Sequence, residues 1–141
     1  MIEIFLDNVE VPSLDSELFV LWLNEVIVSE GYECGDINLV FVSDDFLLDM
    51  NQRFLQHDYF TDIITFDYSE DNFIHGELYI SIDRVVENGL LLDGYESELK
   101  RVCLHGVLHL CGYGDKSEEE TVVMRIKENF YINKFVSRET R

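Results

Sequence analysis

The chain is short of three things: proline, cysteine and, above all, positive charge. Its 141 residues hold one proline and three cysteines, and 10 lysines and arginines stand against 29 aspartates and glutamates, a formal net charge of −19. A polyanion of this size repels nucleic acid over most of its surface. Cys34, Cys103 and Cys111 are odd in number and lack framework spacing, which argues against a disulfide scaffold and for a reducing cytoplasm. No apolar run approaches the roughly 20 residues that span a bilayer, so no membrane partner is expected. Met1-Ile2-Glu3-Ile4-Phe5 has neither the basic start nor the long apolar stretch of a signal peptide. No low-complexity tract or solenoid repeat is present.

What is present suits a single globular domain over 1–141, with 47% apolar and 13% aromatic residues. The charge is unevenly spread. Eight of the ten bases fall in residues 100–141, with only six of the acids. Strands are expected at Ile2–Leu6, Ile37–Val42, Asp62–Asp67 and Gly76–Ile82, the last with Leu78, Ile80 and Ile82 on one face. Ser69–Ile74 reads as loop. Helices are expected from about Leu14 to Glu30, from a Ser43-Asp44-Asp45 cap to Leu55, from Asp83 to Leu91, from Glu96 to Cys111, and from a Ser117/Glu120 capping box to about Lys134. Leu18, Leu21, Trp22, Val26 and Ile27 of the first helix, and Phe46, Leu47, Met50 and Phe54 of the second, are expected to face inward. The layout is an α+β domain, a small mixed sheet with about five helices.

The fourth helix carries the chemistry. It ends His105-Gly106-Val107-Leu108-His109-Leu110-Cys111-Gly112-Tyr113-Gly114-Asp115. Residues four apart share a helix face, so His105 and His109 can grip one ion. Gly112 and Gly114 can adopt the positive φ of a sharp turn. Asp115 can then approach the ion from a third side. Two histidines and a carboxylate, with a fourth position left to water, make a catalytic zinc arrangement. Cys111 would be a poor fourth ligand, about 200° around the helix from His109. The competing reading is a pair of hydrogen-bonded helix histidines with Asp115 as a turn residue. The Gly-x-Gly-Asp tail favours the metal. Gly106 stands where the protease signature H-E-x-x-H has its general base, which counts against a zinc peptidase.

These residues resemble the YbeY family, bacterial metal-dependent endoribonucleases of rRNA maturation with the signature H-G-x-L-H-L-x-G-Y-D-H. His105, Gly106, Leu108, His109, Leu110, Gly112 and Tyr113 match in register. Met50-Asn51 with Asp58 through Phe66, and Gly76 through Ser81, resemble two further family blocks. Together they cover roughly residues 50–120. Two departures stand out. The family's third histidine aligns with Asp115, giving a His, His, Asp ligand set. An anionic ligand lowers the site's net charge to about +1 and leaves room for divalent metals other than zinc. Leu55 stands where the family usually has a basic residue; Arg53 or a base of the C-terminal helices is the available substitute.

The resemblance implies one zinc ion per chain and metal-assisted phosphodiester hydrolysis in single-stranded rRNA, with the small ribosomal subunit as partner. Glu77 and Asp62 are candidate proton acceptors. Thr61 and Tyr113 are as suited to orienting ligands as to touching substrate, and Asn51 reads as a helix-end hydrogen bonder. Lys100, Arg101, Lys116 and Arg53 are candidate RNA contacts. The net charge and the missing arginine leave an alternative, a non-catalytic metal-binding ribosome-assembly factor. A plain acidic binding domain without metal is a further reading.

Overall fold

The computed structural model describes residues 1–55 and 61–139, with side chains to Phe135 in the last helix. The order is β1 (Ile2–Leu6), α1 (Ser16–Ser29), β2 (Glu33–Val42), α2 (Asp44–Phe54), β3 (Ile63–Asp67), β4 (Phe73–Ser81), α3 (Ile82–Leu91), α4 (Tyr95–Leu110) and α5 (Glu118–Glu139). The strands form one mixed sheet in the order β1-β2-β4-β3. β1 and β4 run parallel to β2, and β3 is antiparallel to β4. The α+β architecture is as the sequence implies. Among the described residues no helix is long and apolar enough to cross a membrane. Asp58, Tyr59 and Phe60 of the upstream block lie outside the described residues.

Side-chain alternation along the strands splits the core in two. Ile37, Leu39 and Phe41 of β2, with Ile74, Leu78 and Ile80 of β4, face α1, α4 and α5 in the main cluster. Val40 and Val42 of β2 and Tyr79 of β4 face the other way, toward Leu47 and Met50 of α2. The sheet is thus covered unequally, with α4 buried along most of its length on the main side. α5 closes over α1 through Phe135, whose ring meets Trp22 edge-on at 4.8 Å. Trp22 Nε1 donates to the Tyr131 carbonyl at 2.9 Å, satisfying the indole inside the core.

Gly106 lets α4 lie this close. A Cβ there would sit 2.7 Å from Ile63 Cδ1 and 3.1 Å from both Leu78 methyls. A glutamate at 106 would therefore be driven into the apolar layer between helix and sheet, where an unpaired charge is costly. The missing general base of a peptidase has a packing cause.

Several boundaries and faces differ from expectation. β2 starts at Glu33 and carries a register irregularity between Cys34 and Ile37, so the polar Gly35-Asp36 pair sits within a strand. β4 starts at Phe73 because Phe73 and Ile74 continue the pairing with β2. Ile82 opens α3 under a Ser81 cap and does not extend the β4 face. α5 runs to Glu139, past Lys134. Leu21, Phe46 and Phe54 are 57%, 43% and 64% exposed. Leu21 lies about 100° off the stripe that Trp22 and Val26 bury. α2 touches the sheet along one side only, and Phe54, in its last turn, reaches Phe66 with a ring edge.

Candidate metal centre

α4 ends in a Schellman turn. Gly112, at φ 102°, donates to the His109 carbonyl, and the Tyr113 N–H donates to that of Leu108. Gly114 does not share the positive φ expected of it. Its need is space, since a Cβ there would collide with the Glu120 carboxylate. That carboxylate accepts from the Ser117 N–H at 3.2 Å, and Ser117 Oγ accepts from the Glu120 N–H at 3.1 Å, which is the anticipated capping box. The turn and the box together bring Asp115 back over the end of α4.

His105, His109 and Asp115 accordingly form one group of possible metal ligands, their ligand atoms all within 4.8 Å. The two Nε2 atoms are 2.9 Å apart, and Asp115 Oδ2 lies 3.2 Å from one and 3.3 Å from the other. Ligands held at about 2.0–2.1 Å in a tetrahedron stand roughly 3.3 Å apart, so the spacing suits a small divalent ion.

The opposite ring nitrogens are both engaged. His105 Nδ1 meets Glu128 Oε2 at 2.7 Å, and His109 Nδ1 meets the Tyr113 carbonyl at 2.8 Å. Each acceptor calls for a proton on Nδ1 and turns the Nε2 lone pair toward the group's centre. Cys111 takes no part. It is buried in the main core, and burial pushes its thiol up to about 12.

Glu128 has no counterpart in the sequence reading. It is only 3% exposed, and Arg101 Nη1 donates to its second oxygen at 2.7 Å. Burial alone would raise this carboxyl, but the hydrogen bonds from His105 and Arg101 outweigh it and hold the group below its ordinary value. Burial would likewise lower the His105 imidazole, yet Glu128, Asp115 and Asp62 raise it. Three carboxylates thus favour positive charge at this spot. No signal in the sequence marks Glu128, because a glutamate inside a charged helix looks like a solvated one.

The remaining candidates separate. Asp62 lines a cleft of about 230 Å³ beside the histidines, with Glu98, Arg101, Arg125 and His105. Burial raises its carboxyl against the pull of His105. Glu77 is not brought to the histidines. It alternates with Leu78 onto the α2 face of the sheet and accepts from the Tyr68 and Tyr79 hydroxyls. Thr61 Oγ1 donates to the Ile63 carbonyl at 3.4 Å, a local backbone role, and Asn51 is buried within α2. Arg53 sits on α2 in an exposed pair with Asp49. Lys100 lies over the Phe135 ring, away from the cleft. Arg101 is at the cleft, but Glu128 and Asn129 hold its guanidinium. Lys116 is exposed beside Asp115.

A second polar cluster anchors the metal-site turn. The side chain of Glu30, at the end of α1, is 7% exposed. Its carboxylate accepts from the Tyr113 and Tyr131 hydroxyls and from Lys127 Nζ, the last at 3.1 Å. Burial would raise this carboxyl, but the three donors lower it. A lowered folded value means stability that is present above the ordinary carboxylate range and lost as pH falls through the folded value. Glu30→Ala is expected to cost about 2–4 kcal/mol at pH 7, since three donors lose a buried acceptor. In urea unfolding, that cost should shrink as pH falls below about 4.

Comparison with known proteins places this geometry in a lineage. The Endoribonuclease YbeY family model matches residues 6–136. A Flavobacterium psychrophilum protein named Endoribonuclease YbeY is 48% identical over 83% of this chain and 84% of its own length. One of the same name from Phocaeicola vulgatus is 43% identical over 92% and 94%. A Thermotoga maritima protein solved in solution superposes with a TM-score of 0.71 at 28% identity, covering 99% of this chain and 92% of that one. The chain belongs to the Endoribonuclease YbeY family.

Proposed function

We propose that this protein is a divalent-metal-dependent, single-strand endoribonuclease, with zinc the preferred ion, acting in rRNA processing and small ribosomal subunit maturation. The observation that carries this reading is the His105, His109 and Asp115 group, with both imidazoles oriented from behind. A divalent ion bound there supplies Lewis acidity toward a phosphate oxygen and, for zinc, brings the pKa of water to roughly 7. The chain's own groups do the rest. Glu128 and the Tyr113 carbonyl fix the imidazole tautomers. Asp62, which lines the cleft with His105 and among the described residues makes no ion pair to a base, is the carboxylate available for accepting a proton from the attacking group. The 60% exposed Arg125, which lines the cleft, and the exposed Lys116, next to Asp115 in the chain, are available for phosphate contact. Three free thiols suit the cytoplasm.

Labelled single-stranded RNA, incubated with and without chelator, tests this. Cleavage should stop in chelator, return with added zinc, and be absent from His109→Ala. Cleavage that survives both would refute the site. The assembly-factor alternative differs in one result, co-sedimentation with small subunits without cleavage of their RNA.

A further inference from the structure

The cleft beside the metal group holds a carboxyl for which the fold supplies no donor. Glu98 is 8% exposed and lines the cleft from α4. Among the described residues it makes no hydrogen bond or ion pair; what acts on it is burial, then the charge of Asp62 and, more weakly, those of Arg101 and Arg125. Burial comes first and Asp62 second, and both push its carboxyl upward. The side chain is packed on most sides, and its carboxyl group is left facing the cleft and not a protein donor. A structural account would pair Glu98 with Arg101, but Glu128 and Asn129 already hold that guanidinium.

We infer that Glu98, with Asp62, forms a nucleobase subsite that accepts the Watson–Crick edge of an unpaired guanine. This rests on the ribonuclease reading. The chemistry narrows the choice. Guanine presents two adjacent donors, N1–H and the N2 amino group, to one carboxylate. Adenine and cytosine place an acceptor nitrogen beside their amino group, which would face a lone pair of the ionised carboxylate, the form that Arg101 and Arg125 favour. Uracil offers one N–H between two carbonyls. Recognition of unstacked bases along these edges is the usual route to sequence preference in single-stranded RNA. The size agrees. About 230 Å³ is the share of roughly eight waters, room for one heterocycle and not for a duplex. Leu92 and Ile63 supply apolar wall. A second cation is the less suitable occupant, since Arg101 and Arg125 line the same cleft.

Binding of GMP, IMP and AMP to the metal-loaded protein, followed by calorimetry or NMR titration, tests this without requiring turnover. The phosphate is common to all three, so differences report the base. GMP should bind about tenfold or more tighter than AMP, the discrimination one bidentate pair gives, with IMP between them. Glu98→Gln, which swaps one acceptor for a donor, should erase the advantage of GMP, and Asp62→Asn should reduce it. GMP and AMP binding within twofold of each other, or a GMP advantage intact in folded Glu98→Gln, would overturn the inference. Should Glu98→Gln fail to fold, an undiminished GMP advantage in Asp62→Asn does so. Base selectivity without RNA cleavage would sink the ribonuclease reading and keep the subsite; cleavage without base selectivity would do the reverse.

Discussion

Protein purified without added metal is expected to carry about one equivalent of divalent ion per chain, and His109→Ala almost none. Three protein ligands are the usual complement of an open site, and losing one of three leaves two atoms to hold the ion against water. The fold should survive, because the His109 imidazole is half-buried at the surface end of α4 and its backbone turn is held independently by Gly112 and Tyr113. Elemental analysis beside a thermal melt separates the two effects. Asp115 gives the sharper comparison. Asp115→Ala should lose the ion as His109→Ala does. Asp115→His restores the family's three-histidine set, so it should retain metal and shift preference toward zinc over magnesium and manganese, which favour carboxylate. Equal metal content in wild type and Asp115→Ala would remove Asp115 from the ligand set.

Glu128→Gln is expected to lower metal affinity by about 10–100-fold without touching a ligand. The reason lies in hydrogen positions. Glu128 accepts from His105 Nδ1 and from Arg101 at once. A glutamine has one acceptor for these two donors. If its amide NH2 faces His105, the imidazole must accept at Nδ1 and carry its proton on Nε2, where the ion needs a lone pair. If the NH2 faces Arg101, two sets of donors collide in a buried place. Competition against a chelator of known affinity measures the loss. An unchanged affinity would show that His105 keeps its tautomer without Glu128.

The parts of the site written in adjacent residues are legible in the sequence. His105 and His109 one helical turn apart, the Gly112 break, and Ser117 three before Glu120 are local patterns, and local geometry dictates them. Glu128 was not legible, because what makes it special is the approach of α5 to α4, a contact between residues 23 apart in the chain. The same holds for Glu30, whose partners lie more than 80 residues away. Among the elements, the helix starts at Ser43 and Ser117 fell where expected. The starts of β2 and β4 did not, because Glu33 and Cys34 in β2 and Phe73 and Ile74 in β4 are strand only through pairing with each other. Hydrophobicity alone points Phe46 and Phe54 inward, but α2 has too little sheet beneath it to cover every apolar side chain it carries.

The closing of α4 by its glycine turn has an electrical consequence. His105 and His109 sit in the last two turns of a 16-residue helix, where the aligned peptide dipoles leave roughly half an elementary charge of negative sign. Asp115 and Glu128 add to it at the two imidazoles. Before loading, such a cup attracts cations and turns away phosphodiesters. Ion capture therefore has to precede engagement of an RNA backbone, and apparent RNA affinity should follow metal occupancy before it follows the number of basic side chains.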